Sequence, residues 1–280
     1  MKINPHKNQF LHKYEISHSL GSGGFGKVYT AYRKFDGKSV AIKQIYKKKV
    51  GNWVYSADDG IYVPMEYELL KLSQNIQGVM KLYEAYDYSS DVFLLVTEKY
   101  KNCQDLFEYI SASVYLEESV ARRIFSKVVS IVIELEKCNI LHRDIKDENI
   151  VINTVTNEIM LIDFGCGCIT EEKNQRFDYF IGTLVYRPPE WIKYNHYVGS
   201  HATVWTLGIL LFTLVNGNIP FNNDDEILLG QYRYKRGCIS KECTDLISAC
   251  LNVDHKSRLD LSEILHHPWL SHGSHPSIRN

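Results

Sequence analysis

The sequence GSGGFGKVY places Gly21, Gly23 and Gly26 in a G-x-G-x-x-G arrangement. A dinucleotide site would need a helix after the glycines and an acid about twenty residues on. Here the glycines lead into the strand-like Lys27-Val28-Tyr29, and residues 41–50 hold no acid. What fits is a hairpin whose bare backbone N–H groups can approach anionic phosphate oxygens. Lys43 ends the apolar stretch Val40-Ala41-Ile42 and would reach such a phosphate as a point charge. It would need an acid to hold it; Glu66 is the preferred candidate and Glu68 the rival, and periodicity does not choose between them. Asp163 follows an apolar strand in LIDFGCG, where a carboxylate would meet Mg²⁺, a hard cation that takes few protein ligands besides phosphate oxygens. Asn149 offers a second oxygen. It lies in NILHRDIKDENIVI, residues 139–152, where seven polar or charged residues sit between the apolar anchors Ile140-Leu141 and Ile150-Val151-Ile152.

These groups must be carried by two kinds of structure. Up to about residue 100 the chain reads as short strands: YEISHSL and KVYTAYR flank the glycines, SVAIKQI follows the Asp36-Gly37 turn, and DVFLLVT comes later. One helix interrupts them, with Pro64 in its first turn and Met65, Leu69, Leu70 and Leu72 on its apolar side. Beyond residue 104 the period becomes helical. Val120, Ile124, Val128, Ile131 and Leu135 mark one face of a long helix, and the apolar 202–215 segment reads as a central buried helix. The runs on either side of Thr154–Glu158 form a small hairpin. A strand-rich half, a helical half and a polar junction near 98–105 lead to the expectation of a ligand cleft.

Bulk properties agree with a chain of this kind. Apolar residues make up 45% and charged residues 23% of 280, and the net charge is -1, so no global field draws the protein to nucleic acid or to a membrane surface. Residues 1–13 are polar and lack the apolar core of a signal peptide. The apolar 202–215 run is too short to span a bilayer. Seven cysteines without a C-x-x-C pair point to free thiols in a reducing compartment.

In order and spacing, the glycine hairpin, Lys43, Glu66, the 142–149 loop, Asp163-Phe164-Gly165 and Pro188-Pro189-Glu190 resemble the signature set of eukaryotic serine/threonine protein kinases. VPMEYELL, QDLFEYI, HRDIKDENI, VWTLGILL, IPFNNDDEI and HPWL resemble the Pim kinases in particular. The resemblance implies an α+β, bilobal protein kinase fold, with a small β-rich N-lobe carrying one main helix and a larger α-helical C-lobe. Residues 1–13 would be an N-terminal extension, 14–271 the kinase domain (N-lobe 14–97, hinge 98–103, C-lobe 104–271) and 272–280 a tail. It implies transfer of the ATP γ-phosphate to Ser/Thr hydroxyls with Mg²⁺ as cofactor, by a monomer in the cytoplasm, with the nucleus as a further compartment.

Residue by residue, the resemblance makes Asp144 the group that orients the substrate hydroxyl, Lys146 a phosphoryl-charge stabiliser, and Asn149 and Asp163 the metal ligands, with Lys43 and Glu66 paired. Leu20, Val28, Ala41, Val151 and Ile162 would surround adenine. Thr97, Glu98 and Tyr100 would belong to the gatekeeper and hinge, and Gly21, Gly23 and Gly26 to the phosphate cover. Asp105, Glu108, Glu148, Asp224 and Asp225 would meet basic residues upstream of the phosphorylated hydroxyl, and Thr183 would contact Asp144 or Lys146. His142 is expected in the core, and Glu190 is expected to pair with Arg258. Arg143 is expected to pair with negative charge, Glu171, Glu172 and Asp178 being the candidates. That would make activity constitutive. Thr203 stands where most kinases carry an aspartate that anchors the catalytic loop. The rival reading, a kinase-shaped scaffold without activity, usually loses Lys43, Asp144 or Asp163, and all three are present.

Overall fold

The computed structural model describes residues 3, 7–23, 26–235 and 237–271; the tail expected at 272–280 lies outside them. The chain divides into two compact units, Met1–Cys103 with Asp163–Gly165, and Gln104–Ile162 with Cys166–Asn280.

The first unit is built on an antiparallel five-stranded sheet. Its strands are β1 (Tyr14–Gly23), β2 (Gly26–Arg33), β3 (Ser39–Tyr46), β6 (Leu82–Asp87) and β7 (Val92–Glu98), in the order β1-β2-β3-β7-β6. Alternation in β3 buries Val40 and Ile42 on one face and puts Ala41 and Lys43 on the other, where Ile45 is also buried. A separate hairpin, β4 (Trp53–Ser56) and β5 (Ile61–Pro64), leads directly into helix α2 (Met65–Leu72). This hairpin was not foreseen, although Asp59-Gly60 between two aromatic and β-branched runs is a hairpin signal. Pro64 stands at the N-cap of α2, one residue before the expected first turn, and Leu72 is exposed where burial was expected. Eight residues complete little more than two turns, and Leu72 falls on the solvent side of the helix end. Residues 7–13, read as a polar extension, form helix α1 (Lys7–Lys13), whose Phe10 is buried among the rings of Tyr14, Tyr86 and Tyr88.

The second unit is mainly helical. Helix α4 (Glu118–Lys137) buries Ile124, Val128, Ile131 and Leu135 as the period requires, and Ala121, Phe125, Val129 and Val132 widen the stripe. Helix α6 (Gly199–Asn216) is buried over nearly its whole length, which accounts for its apolar residues all round. The expected hairpin is β10 (Ile150–Asn153) against β11 (Ile159–Leu161). It opens directly after the 139–149 loop, so the apolar anchors of that loop are strand residues: Ile140 and Leu141 at one end, Ile150 at the other, all buried.

Candidate active site

In the first unit, Lys43 Nζ lies 2.6 Å from Glu66 Oε1 and 2.7 Å from Asp163 Oδ1. Glu68, the rival acid, has a buried carboxylate oxygen without a hydrogen-bond partner, and Lys43 selects Glu66. Burial opposes the charge on Lys43, but the carboxylates of Glu66 and Asp163 outweigh it and hold the ammonium above its ordinary pKa. Asp163 has φ +61°, a left-handed value rare among non-glycine residues although Asp adopts it more readily than most, and its Oδ1 accepts the N–H of Gly165 at 3.2 Å. Such local strain tends to gather at functional sites.

The three glycines differ in what they must do. A Cβ on Gly26 would fall 1.7 Å from the Gln44 carbonyl oxygen, so the contact of β2 with β3 requires glycine there. At Gly21 a Cβ would meet nothing within 4 Å, so packing does not demand it. Gly23 pairs with Gly26 at the end of β1. Leu20 is exposed, and Val28 and Ala41 are half-buried. Thr97 is buried opposite Ala41, and its hydroxyl donates to the Ala41 carbonyl at 3.5 Å. Glu98 donates its N–H to Lys81 O and accepts from the Tyr100 hydroxyl at 2.5 Å.

In the second unit the 142–149 loop is a dense hydrogen-bonded assembly. Asp144 Oδ1 accepts the Thr183 N–H (2.9 Å) and the Thr183 hydroxyl (2.7 Å), while Oδ2 accepts from Asn149 Nδ2 (2.9 Å). The same Nδ2 also donates to the Asp144 carbonyl, which turns the amide oxygen of Asn149 into the acceptor position a hard cation uses. Lys146 Nζ stands 3.9 Å from Asp144 Oδ2 and 2.5 Å from Glu148 Oε2. Gly182 makes the Thr183 contact possible: its φ is +122°, and a Cβ there would lie 2.6 Å from the Arg143 carbonyl oxygen. His142 is buried, donates from Nε2 to Ile162 O at 3.0 Å and accepts the Asp144 N–H on Nδ1. Both ring nitrogens therefore serve the loop's shape. Val151 and Ile162 are half-buried beside it.

Arg143 departs from expectation. Its Nε donates to Cys166 O at 2.8 Å and its Nη1 to the Tyr179 hydroxyl at 3.2 Å, while the guanidinium lies over the rings of Phe177 (5.1 Å) and Tyr179 (5.4 Å). Among the described residues it forms no ion pair with Glu171, Glu172 or Asp178. A planar, weakly hydrated guanidinium is well accommodated by aromatic faces and a carbonyl. Sequence spacing gave no signal for this cage, which needs Phe177 and Tyr179 folded back onto the loop. Thr203 donates through its hydroxyl to Gly199 O of its own helix at 2.9 Å. With Asp144 and Thr183 it lines a cavity of about 20 Å³, room for one water molecule.

The expected substrate-side acids are variously engaged. Asp105 caps helix α3 (Leu106–Ser113) by accepting the Glu108 N–H at 2.8 Å, and Glu108 and Asp225 are exposed. Asp224 is ion-paired with Arg187, a partner not anticipated. Glu190 receives both Nη atoms of Arg258 at 2.9 Å.

The sequence model of the protein kinase domain matches residues 14–270. The chain is 38% identical to serine/threonine-protein kinase pim-2 of Danio rerio, covering 98% of this chain and 90% of that protein. It is 39% identical to serine/threonine-protein kinase prk-2 of Caenorhabditis elegans, covering 94% of this chain and 59% of the relative. With maternal embryonic leucine zipper kinase of Xenopus laevis the identity is 33%, over 95% of this chain and 40% of the relative.

Proposed function

Because the chain belongs to the protein kinase family, close to the Pim kinases, and is an ATP-dependent protein serine/threonine kinase, we propose that it is active without phosphorylation of its 163–190 segment and prefers serine or threonine with basic residues upstream. The observation that carries the reading is the Asp144 carboxylate, aimed by Thr183 and Asn149 through three hydrogen bonds. So held, it orients the substrate hydroxyl and takes its proton as the oxygen bonds to the γ-phosphorus and the bond to the β-phosphate oxygen breaks, with ADP as the leaving group. Lys146 answers charge on the transferring group, and Lys43, fixed by Glu66, answers charge on the nucleotide phosphates.

Asp163 in the first unit and Asn149 in the second each carry an oxygen donor of the kind Mg²⁺ takes, and Mg²⁺ would neutralise phosphate charge when bound. Within the first unit, Leu20, Val28 and Ala41 offer apolar surface for adenine. Activity without phosphorylation is supported by Arg143, whose guanidinium already has a carbonyl, a hydroxyl and two rings as partners. A phosphate is not needed to satisfy it. We further propose a monomer in the cytoplasm or nucleus; the seven free cysteines fit the reducing compartment in that reading.

The test is phosphate transfer from radiolabelled Mg-ATP to a positional peptide library, before and after phosphatase treatment of the purified protein. Transfer to serine or threonine with arginine upstream, unchanged by phosphatase, is the expected result. Abolition by phosphatase would refute constitutive activity.

Arg187 bears on selectivity. It occupies Asp224, so it competes with any basic side chain of the substrate for that carboxylate. Arg187→Ala should therefore raise the preference for upstream arginine several-fold, by an amount within the roughly five- to thirty-fold that about 1–2 kcal/mol represents. Asp224→Asn should remove that gain. A preference unchanged in Arg187→Ala would show that Asp224 does not read the peptide.

A further inference from the structure

Hairpin β4–β5 grips helix α2 at both of its ends. The first N–H of the helix, from Met65, donates to Asn52 O at 3.0 Å, just before the hairpin begins, and no side chain caps that end. At the tip of the hairpin, Asp59 turns its carboxylate inward until the side chain is 1% exposed. Its Oδ2 accepts from Ser56 Oγ (2.9 Å), the Tyr67 hydroxyl (2.9 Å) and Lys71 Nζ (3.0 Å). Its Oδ1 accepts the Ile3 N–H at 3.2 Å. Tyr67 and Lys71 are one turn apart on α2, and Tyr67 follows Glu66 directly.

A helix of eight residues has little stability of its own, so tertiary contacts decide where it sits. A carboxylate this deeply buried is tolerated only while its donors remain in place. Sliding or rotating α2 would take Tyr67 and Lys71 away together, leaving the carboxylate with Ser56 and the Ile3 N–H and without the ammonium of Lys71. Glu66 rides on the same helix, and its contact with Lys43 has no slack at 2.6 Å.

We propose that Asp59 is a positioning residue for phosphoryl transfer: through Tyr67 and Lys71 it locks α2 in the place that keeps Glu66 on Lys43. The lock is built wholly from residues of the first unit. It deepens, and rests on, the reading of a kinase that needs no phosphate to be active, because the helix is held by its own hairpin.

The experiment uses the full chain with Mg-ATP and a peptide substrate. kcat and the KM for each substrate are measured for wild type, Asp59→Ala, Asp59→Asn, Lys71→Met, Glu66→Gln and the double variant Asp59→Ala/Glu66→Gln. Rates are expressed per folded molecule from thermal melts, and hydrogen exchange is followed in α2 and in the sheet. Misplacing a catalytic group by about 1 Å costs on the order of 100-fold, so Asp59→Ala should lower kcat/KM for ATP by roughly ten- to a hundred-fold, with the peptide KM unchanged. Exchange should rise in residues 65–72 while β2, β3 and β7 stay protected. Asp59→Asn, which keeps the acceptor oxygen, should recover part of the loss, and Lys71→Met should resemble Asp59→Ala. In the Glu66→Gln background the Asp59→Ala loss should shrink to less than two-fold, since both act on Lys43.

Losses that multiply in the double variant, or activity per folded molecule equal to wild type, would overturn the proposal. If Asp59→Ala does not fold, Asp59→Asn and Lys71→Met carry the same comparison. Phosphatase sensitivity of the wild type would refute constitutive activity alone; the lock is judged by the double variant and by exchange in α2.

Discussion

Asp144→Asn should lower kcat by roughly 10²–10⁴-fold, the range expected when a positioned acid–base group is removed. The replacement keeps the shape of the side chain, and its amide oxygen can still accept from the Thr183 N–H and hydroxyl, as Asp144 Oδ1 does. What disappears is the charge that draws the substrate proton. One hydrogen bond is also lost, because the new NH₂ would face Asn149 Nδ2, now a donor to Asp144 Oδ2 at 2.9 Å. That costs stability by about 1 kcal/mol. The KM for ATP should stay near the wild-type value, since Lys43, Glu66 and Asp163 are untouched. Thr183→Ala is the companion measurement: it leaves the base and removes one of its guides, so kcat should fall by less than in Asp144→Asn. Steady-state kinetics on both variants decide the matter. A kcat within ten-fold of wild type for Asp144→Asn would remove Asp144 from the chemistry.

Arg258→Met should destabilise the protein by about 3–5 kcal/mol, the usual consequence of leaving one member of a buried ion pair alone. The guanidinium is wholly buried and makes two hydrogen bonds to Glu190, one to His201 O and one to Asn252 O, while stacking 5.1 Å from Trp205. Methionine replaces part of its volume and none of its charge. Glu190, 3% exposed, would then hold a carboxylate with no cation beside it. The double variant Glu190→Leu/Arg258→Met should regain much of the loss, because an apolar pair in that place carries no desolvation cost. Chemical denaturation of the two variants reads both effects. A double variant no more stable than Arg258→Met would show that the carbonyl and stacking contacts of Arg258 dominate. The pair has no reacting partner, so catalytic rate per folded molecule should be unaffected in the double variant.

Several parts of this protein were legible in its residues. Phosphoryl transfer demands particular side chains at short, fixed separations within single loops. Hence Asn149, and Asp163 ahead of Gly165, were readable as oxygen donors from their type and place, whereas the roles of Asp144 and Lys146 came from the resemblance of the whole set to protein kinases. The 3.6-residue period exposed α4, and the apolar run exposed α6, because each buries a face or a whole surface. The glycine motif marked Gly26, but the need for glycine there and at Gly182 is tertiary, since a Cβ would strike the backbone oxygen of Gln44 or of Arg143, far along the chain.

Only the tertiary structure decided which partner each charged group meets. Periodicity did not choose between Glu66, the preferred candidate, and Glu68, and the orientation of α2 hands Lys43 to the first. Three acids near Arg143 looked like its partners, yet chain folding brings Phe177, Tyr179 and a carbonyl to it instead. Asp224 looked like a substrate contact, and Arg187 reached it across 37 residues. Asp59 drew no reading from the sequence, yet its side chain lies covered against Tyr67 and Lys71. The reason is the same in each case. Side-chain type sets what a group can bind, whereas long-range packing, blind to sequence separation, sets what comes within 3 Å of it.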